Sequence, residues 1–263
     1  MMLSKFFVCF IIYSFFGWIY ETIYCTLNEK AWENRGFLYG PCIPLYGVGA
    51  ISAQFLFVEL PIERFSHPSY LAIFFGCAIG SFILEYSTSY ILENRFHARW
   101  WDYSHLPLNI NGRVCLIFTA CFGIAGIIVT QFIEPPVIHV VNMMPQLLVE
   151  LLALFFMFVF GFDMALTISA LTSFAKEFER INEQINAQMA QRVEALYSKA
   201  ESAEEDEKAI KERLSTEYVK QWIKHATATQ RGQFRHIAKF THPVASTKAL
   251  LDKGSEYLRR RRK

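Results

Sequence analysis

Five long apolar runs, separated by short polar segments, dominate the first two thirds of the chain. The runs cover residues 3–25, 41–60, 70–92, 114–133 and 146–173. A transmembrane helix needs about 20 apolar residues to cross a hydrocarbon core of about 30 Å. The pattern therefore predicts an all-α, polytopic membrane protein with about five transmembrane helices, and residues 1–173 form its transmembrane domain.

The second and third runs contain residues that modify a simple helix. The second begins with Pro41 and Pro44, closely followed by Gly47. This predicts a broken or re-entrant helix start, whose free backbone N–H and C=O groups need hydrogen-bond partners from protein or water. The third contains Gly76 and Gly80, whose spacing is typical of closely packed helices.

The last third of the chain has a different pattern. From 174 to 228 there is no Pro or Gly, and apolar residues recur at spacings of four and three between Phe174 and Leu196. This stripe predicts a long cytoplasmic helix or helical hairpin that continues the fifth span and forms a coiled coil, with a partner segment or a second protomer. Residues 229–263 are basic and are expected to be partly disordered.

The distribution of basic residues predicts the orientation. Seven of the 26 Lys and Arg residues precede Phe174, and two of these seven, Lys5 and Arg64, lie on the side opposite the tail. The positive-inside rule therefore places the N-terminus outside the cell membrane and the tail in the cytoplasm. The terminal cluster Arg259–Lys263 is expected to attract anionic lipid, at about 1 kcal/mol per charge, and no nucleic-acid partner is expected.

Of the five acidic residues within the apolar runs, Glu59 and Glu150 lie next to the ends of their runs, and the other three are of more interest. Ionisable side chains inside a membrane are costly and mark functional sites by default. Glu21 lies near the end of the first run, Glu85 in the third and Asp163 deep in the fifth. Ser81 and Ser89 share one helical face with Glu85. We expect Glu21 and Glu85 to bind a ligand or ion; the alternative is that they only hold the bundle together. Asp163 is expected to serve helix packing or an ion path.

A polar, aromatic loop, residues 100–113, connects the third run to the fourth. Its charged and amide side chains need polar partners if they lie at membrane depth. In the predicted orientation, this loop, the first cytoplasmic loop and the two intramembrane glutamates converge on the cytoplasmic half of the bundle. The predicted substrate-binding residues are Glu21, Asn34, Arg35, Glu85, Trp101, Asp102, Tyr103, Asn111 and Arg113.

Each loop residue also has a simpler interpretation. Arg35, Arg95 and Arg113 either neutralise the acids or bind an anionic ligand, but positive-inside anchoring explains them too. Asp102 either belongs to the site or caps the turn at Tyr103 and Ser104. The two tryptophans suit the membrane interface, although a flat substrate could stack on one of them.

Several catalytic signatures are missing from the sequence. It has no GxxxxGK[ST] phosphate loop, no HExxH and no GxSxG, so the chain cannot use ATP through the usual loop. No pair of its six cysteines has CxxC spacing, and we interpret them as buried hydrophobes. His97 and His105 share one loop and do not define a metal site. No metal site is predicted, and no cofactor is assigned.

A set of motifs, in order along the chain, carries a family resemblance. They are Phe16-Gly17-Trp18 with Glu21, Asn34-Arg35-Gly36-Phe37-Leu38-Tyr39-Gly40-Pro41 with Pro44 and Tyr46-Gly47, Leu84-Glu85, Trp100-Trp101-Asp102-Tyr103-Ser104, and Gly112-Arg113-Val114-Cys115-Leu116. Over roughly residues 5–170 the chain resembles the bacterial type IV ABC-transporter permeases, the CmpB-like family. The resemblance implies a permease that works with a separate ATPase subunit.

The leading hypothesis is a permease-like transport protein with a cytoplasm-facing site for a small polar or anionic substrate or an ion. One alternative is a membrane-embedded enzyme that acts on a lipid or polyprenyl phosphate, with the same acids holding a divalent cation. The other is a non-catalytic scaffold that recruits partners through its helical tail. Homo-oligomerisation is compatible with all three.

Overall fold

The computed structural model describes residues 2–29, 36–59, 68–96 and 98–197, together with residues 226, 237 and 239–240. These residues are mostly helical. The helices are α1 (Met2–Glu29), α2 (Pro44–Gln54), α3 (Tyr70–Phe96), α4 (Leu116–Ile128), α5 (Glu134–Met143) and α6 (Gln146–Tyr197). Four two-residue strands are β1 (Ala98–Arg99), β2 (Asn109–Ile110), β3 (Val114–Cys115) and β4 (Lys239–Phe240).

Four helical segments are long and apolar enough to cross a membrane. They are Met2–Leu27, Tyr70–Phe96, Leu116–Met143 and Gln146–Ser173. These four confirm four of the five predicted spans, and the chain is therefore a helical membrane protein.

The predicted second span, residues 41–60, forms a shorter helix and is not among these four. Helix α2 begins only at Pro44 and continues into a π-helical turn, Phe55–Glu59. Proline suits the first turn of a helix because its missing N–H needs no partner there. The sixteen helical residues extend about 24 Å, which is less than the hydrocarbon thickness of about 30 Å.

The helical segment continues past residue 133, where the sequence placed the end of the fourth span. A π-helical turn, Val129–Ile133, joins α4 to α5, so the segment continues to Met143. The amide of Glu134 donates to the carbonyl of Val129, and the helix then accommodates two prolines in the first turn of α5. Glu134, expected in a loop, is instead a residue of this helix.

The first compact unit consists of Met1–Ile91 and Trp101–Leu166. Within it, α2 packs closely along α1, because a Cβ at Gly17 would overlap Tyr46 and a Cβ at Gly47 would overlap Ser14 and Phe10. Beside this contact, buried residues of α1, α5 and α6 form an apolar core: Val8, Cys9, Tyr13, Val141, Val149 and Ala153.

The two glycines on the predicted packing face of the third span, Gly76 and Gly80, have different surroundings. A Cβ at Gly76 would contact the ring of Phe57 at 2.6 Å. At Gly80, by contrast, a Cβ would meet no described atom within 4 Å. Gly80 instead borders a cavity.

The second unit consists of Leu92–Trp100 and Thr167–Lys263. Here β1 pairs antiparallel with β4, Arg99 forms an ion pair of 2.7 Å with Glu93, and Trp100 is buried. A strand in the tail was not predicted from the sequence. Helix α6 continues without a break to Tyr197, as the apolar stripe predicted. Of the rest of the predicted segment, 198–228, the structure describes Ala226 alone, which is buried and lies in a bend. The Arg259–Lys263 cluster lies outside the described residues.

Candidate functional site

A β-hairpin forms the part of the loop nearest α4. Strands β2 and β3 pair antiparallel, and the amide of Arg113 donates to the carbonyl of Ile110 at 3.0 Å to close a two-residue turn. The turn residues Asn111 and Gly112 have φ angles of 54° and 68°. Asn-Gly is the preferred pair for such a turn, because both positions need positive φ. The hairpin was not predicted from the sequence, although this signal was present.

The rest of the loop is tied to the hairpin by hydrogen bonds. The Trp101 indole N–H donates to the carbonyl of Arg113 at 2.8 Å, and the Tyr103 amide donates to the carbonyl of Gly112 at 2.8 Å. Asp102 Oδ1 accepts from the amide of Ser104 at 3.2 Å, which is a turn-capping contact. The polar side chains of this loop therefore have a large structural role.

The loop lies against the adjacent face of α3. The Asn111 amide donates to the Tyr86 hydroxyl at 3.2 Å. The Arg113 guanidinium carbon lies 5.6 Å from the centre of the Tyr86 ring and 5.3 Å from that of Tyr90, within the range of cation–π attraction. Arg113 thus helps to hold the loop on the helix.

Glu85 lies at the point where the loop meets the interior of the unit. Its side chain is 5% exposed, and Oε1 accepts a long hydrogen bond, 3.5 Å, from the Tyr103 hydroxyl. The other oxygen, Oε2, is buried and has no hydrogen-bond partner among the described residues. Because an unpaired buried carboxylate is costly, this oxygen is a candidate ligand-binding atom.

A cavity of about 630 Å³ extends from Glu85 through the unit. Its lining is largely aromatic, aliphatic or small, and Glu85 is the one residue with a carboxyl group among the described residues that line it. None of those lining residues is Lys, Arg or His. The aromatic lining residues are Tyr13, Phe16, Tyr20, Tyr46, Phe57, Phe118 and Phe122.

Glu21 approaches the same end of the cavity from α1. It forms a side-chain hydrogen bond with Tyr46 and interacts electrostatically with Glu85. Tyr103, on the loop outside the spans, is affected by both acids. Burial, with the negative charges of Glu85 and Glu21, raises the pKa of the Tyr103 phenol above its usual range. Tyr103 therefore stays protonated and can donate to a carboxylate.

Asp163, on α6, contacts the loop before α2 rather than the other two acids. Its Oδ1 accepts from the amide of Tyr39 at 3.0 Å, and its Oδ2 accepts from the amide of Gly40 at 2.9 Å. A Cβ at Gly40 would lie 2.9 Å from Oδ2, so glycine allows this approach. Asp163 thus anchors the loop before α2. The sequence had instead suggested a role in helix packing or in an ion path.

The predicted site residues therefore divide into three groups. Glu21, Glu85 and Tyr103 come together at one end of the cavity. Trp101, Asp102, Asn111 and Arg113 build the loop and hold it on α3. Asn34 and Arg35 lie outside the described residues.

Apart from Glu85, the residues that line the cavity were not assigned to a site from the sequence. Tyr46 entered only through the family resemblance. Phe118 gave no signal, because an aromatic residue in an apolar run is ordinary. Among the described residues, no group of three His, Cys, Asp or Glu side chains is placed to hold a metal ion.

These features define a class, namely a polytopic helical membrane protein whose helices border an apolar cavity with a buried acid. The model of the family described as "Putative ABC-transporter type IV" matches residues 8–168, and the chain belongs to this family. No curated protein and no solved structure matches the chain.

Proposed function

We propose that this protein is a permease-like transport subunit whose large cavity binds a lipophilic organic cation beside Glu85. The observation that carries the proposal is the buried Glu85 Oε2 atom, which has no hydrogen-bond partner among the described residues, at the wall of a largely apolar cavity. Family membership supports a role in transport.

The charge of the site favours a cation over the anionic substrate considered from the sequence. Glu85 and Glu21 interact as like charges, and a bound cation would relieve both their repulsion and the burial of Glu85. An anion would add a third negative charge at the same place. Arg113 does not line the cavity, and its guanidinium lies over tyrosine rings.

The lining supports an apolar body for that cation. A volume of about 630 Å³ falls within the usual range of about 300–1,000 Å³ for small-molecule sites. Aromatic rings attract cations through their negative faces, and the attraction grows when water is excluded. Tyr20, Tyr46 and Phe118 line the cavity with Glu85 and are suited to this contact.

The orientation and the partners follow from the sequence. In the positive-inside orientation, the N-terminus is outside and the end of the cavity at Glu85 faces the cytoplasm. Family membership supports a separate ATPase subunit as the source of energy, and the sequence itself has no phosphate loop. The tail is its proposed dock, with anionic lipid at Arg259–Lys263.

Binding of tetraphenylphosphonium to the purified full-length protein in detergent tests this proposal. We expect saturable binding that Glu85→Gln weakens by about tenfold, which corresponds to about 1.4 kcal/mol. Glu150→Gln is the matched control, because Glu150 bonds Gln146 on α6 and does not line the cavity.

Tetraphenylborate separates charge from shape in the same assay, since it is similar in shape and opposite in charge. The proposal fails if tetraphenylborate binds as tightly as tetraphenylphosphonium, or if Glu85→Gln leaves cation binding unchanged.

The scaffold alternative has one observation in its favour, namely the continuation of α6 to Tyr197, 24 residues beyond the end of its apolar span. Deletion of 174–263, combined with the tetraphenylphosphonium assay, distinguishes the two functions. A scaffold loses partner recruitment, whereas a permease keeps its tetraphenylphosphonium site.

A further inference from the structure

A second buried acid lies in the first unit, away from Glu85. Glu134, the first residue of α5, is 0% exposed, and neither of its carboxyl oxygens has a hydrogen-bond partner among the described residues. It lies within the membrane-spanning segment Leu116–Met143. A carboxylate in this position would be a buried, unpaired charge, which proteins almost never retain.

The position of Glu134 relative to α1 separates it from the proposed substrate site. Its carboxyl interacts electrostatically with Cys9 and Tyr13, whereas Glu85 interacts with Glu21. Tyr13 and Glu21 are eight residues apart on α1, or about 12 Å along the helix axis. Glu134 is therefore a distinct site.

Residues close to Glu134 in sequence line two cavities, although Glu134 itself lines neither. The large cavity is lined by Tyr13 and by Ile133, which precedes Glu134. A second cavity of about 280 Å³ is lined by Gln54 and by Ile138, one turn after Glu134. The Tyr13 hydroxyl donates to Gln54 Oε1 at 3.1 Å, so a hydrogen-bonded pair lies between the two cavities.

Two π-helical turns interrupt the regular helices in this region. The π-helical turn Val129–Ile133 directly precedes Glu134, and the turn Phe55–Glu59 directly follows Gln54. Such turns are rare and frequently mark functional sites. Both turns contribute residues to the cavity walls, Ile133 to the large cavity and Glu59 to the smaller one, which supports a functional role for this region.

Few ionisable groups face Glu134. Among the described residues, α1 contributes Cys9 and Tyr13 and α3 contributes Cys77, and none of them carries a positive charge. Lys5 and Glu59 line the smaller cavity, but the Lys5 ammonium donates to Asn142 Oδ1 at 2.7 Å and makes no hydrogen bond with Glu134. No cationic side chain among the described residues is therefore shown to neutralise Glu134, and a mobile positive species is needed whenever it ionises.

The identity of that species follows from the ligands available. A metal cation needs several oxygen ligands, and Glu134 belongs to no group of three acidic, His or Cys side chains among the described residues. A proton needs only the carboxyl group itself. We propose that Glu134 is a proton-binding residue that exchanges its proton with water in the adjoining cavities.

In this proposal the neutral carboxylic acid is the resting form. Release of its proton to water leaves a carboxylate, and uptake of a proton from water restores the acid, so charge and atoms balance in each direction. Glu134 would then connect the two cavities as an intermediate proton site, as acidic residues do in proton relays across membranes. The inference does not depend on the substrate proposed for the large cavity.

Labelling with dicyclohexylcarbodiimide tests the proposal on the unaltered full-length protein. This reagent is apolar and modifies protonated carboxyl groups, and peptide mass spectrometry locates the product. We expect Glu134 to be labelled at neutral pH, and labelling to fall about tenfold for each pH unit above the midpoint of its titration. Glu59, which is exposed, is the internal control and should remain weakly labelled.

Infrared spectroscopy provides the second measurement. The carbonyl band of the protonated acid should shift in heavy water and should be missing in Glu134→Gln. The proposal is overturned if Glu134 is unlabelled at neutral pH, if its labelling does not change with pH, or if the band does not shift. No cation ligand is used, so failure here is distinct from failure of the substrate site.

Discussion

The Tyr103 hydroxyl donates a hydrogen bond of 3.5 Å to Glu85 Oε1 and so connects the loop after α3 to a residue of that helix. The Tyr103 ring also packs against Phe118 on α4, with ring centres 5.0 Å apart. One side chain therefore contacts both helices that the loop connects. We therefore expect the position of the Glu85 side chain in the cavity wall to depend on how this loop folds.

Removal of the Tyr103 hydroxyl tests this dependence. Tyr103→Phe should lower the free energy of unfolding by about 0.5–1.5 kcal/mol, toward the lower end because the bond is long. In a Glu85→Met background the acceptor is gone, and the same substitution should have no destabilising effect. Unfolding of all four proteins in detergent gives the coupling energy between the two residues.

Tyr70→Phe is the control for that cycle. Tyr70 is the first residue of α3 and is 65% exposed, so loss of its hydroxyl should change stability little. Equal losses at positions 70 and 103, or an undiminished effect in the Glu85→Met background, would contradict the predicted contact.

The close contact between α1 and α2 predicts that alanine substitution changes stability much more at Gly17 than at Gly161. Gly17→Ala forces a methyl group into Tyr46 and should destabilise the protein by about 1–3 kcal/mol. Gly161→Ala places the same group where no described atom lies within 4 Å. It should be neutral or stabilising by up to about 1 kcal/mol, because alanine favours helix. The Tm values of the two purified variants decide between these outcomes.

The two hydrogen bonds that Asp163 accepts predict that its substitution loosens the loop before α2. Asp163→Asn replaces one acceptor oxygen by an NH₂ group, so either the Tyr39 or the Gly40 amide loses its partner. We expect a loss of about 1–3 kcal/mol and faster hydrogen exchange at these two amides. Exchange that matches the wild type would show that the carboxylate does not hold this loop.

The same substitution should change the titration of Tyr39. Burial, followed by the charge of Asp163, raises the pKa of Tyr39 to about 12. The unfolded chain releases this proton first, so the group lowers stability as pH rises from about 10 through about 12. Asp163→Asn should lower the pKa partway, because burial remains. Absorbance titration against Tyr39→Phe isolates this phenol.

The long helices were predictable because apolar length and spacing are local properties of the chain. Four spans and the continuation of α6 are direct consequences of such patterns. The sequence indicated a loop at Glu134, Pro135 and Pro136, because an acid and two prolines are typical of one. A π-helical turn and burial of the acid accommodate them in the helix instead.

The candidate site was predictable only in part. Intramembrane acids are costly, and this cost singles out Glu21 and Glu85 from their positions in the apolar runs. The roles of the loop residues were harder to assign, since a polar side chain that stabilises a turn and one that binds a ligand have the same local pattern. In the structure, Asp102 accepts a hydrogen bond from the amide of Ser104, and the Trp101 indole donates to the carbonyl of Arg113. Both contacts stabilise the loop, and neither could be decided from the local sequence.

The sequence by itself determined that this chain forms membrane-spanning helices, and it singled out Glu21 and Glu85 as costly acids within them. Tertiary structure alone decided that Glu85 borders a large apolar cavity and that Glu134 lies within the core with no described partner. The reason is physical. Helix formation depends on neighbours a few residues apart, whereas a cavity and an unpaired buried carboxyl depend on packing between segments that are distant in sequence.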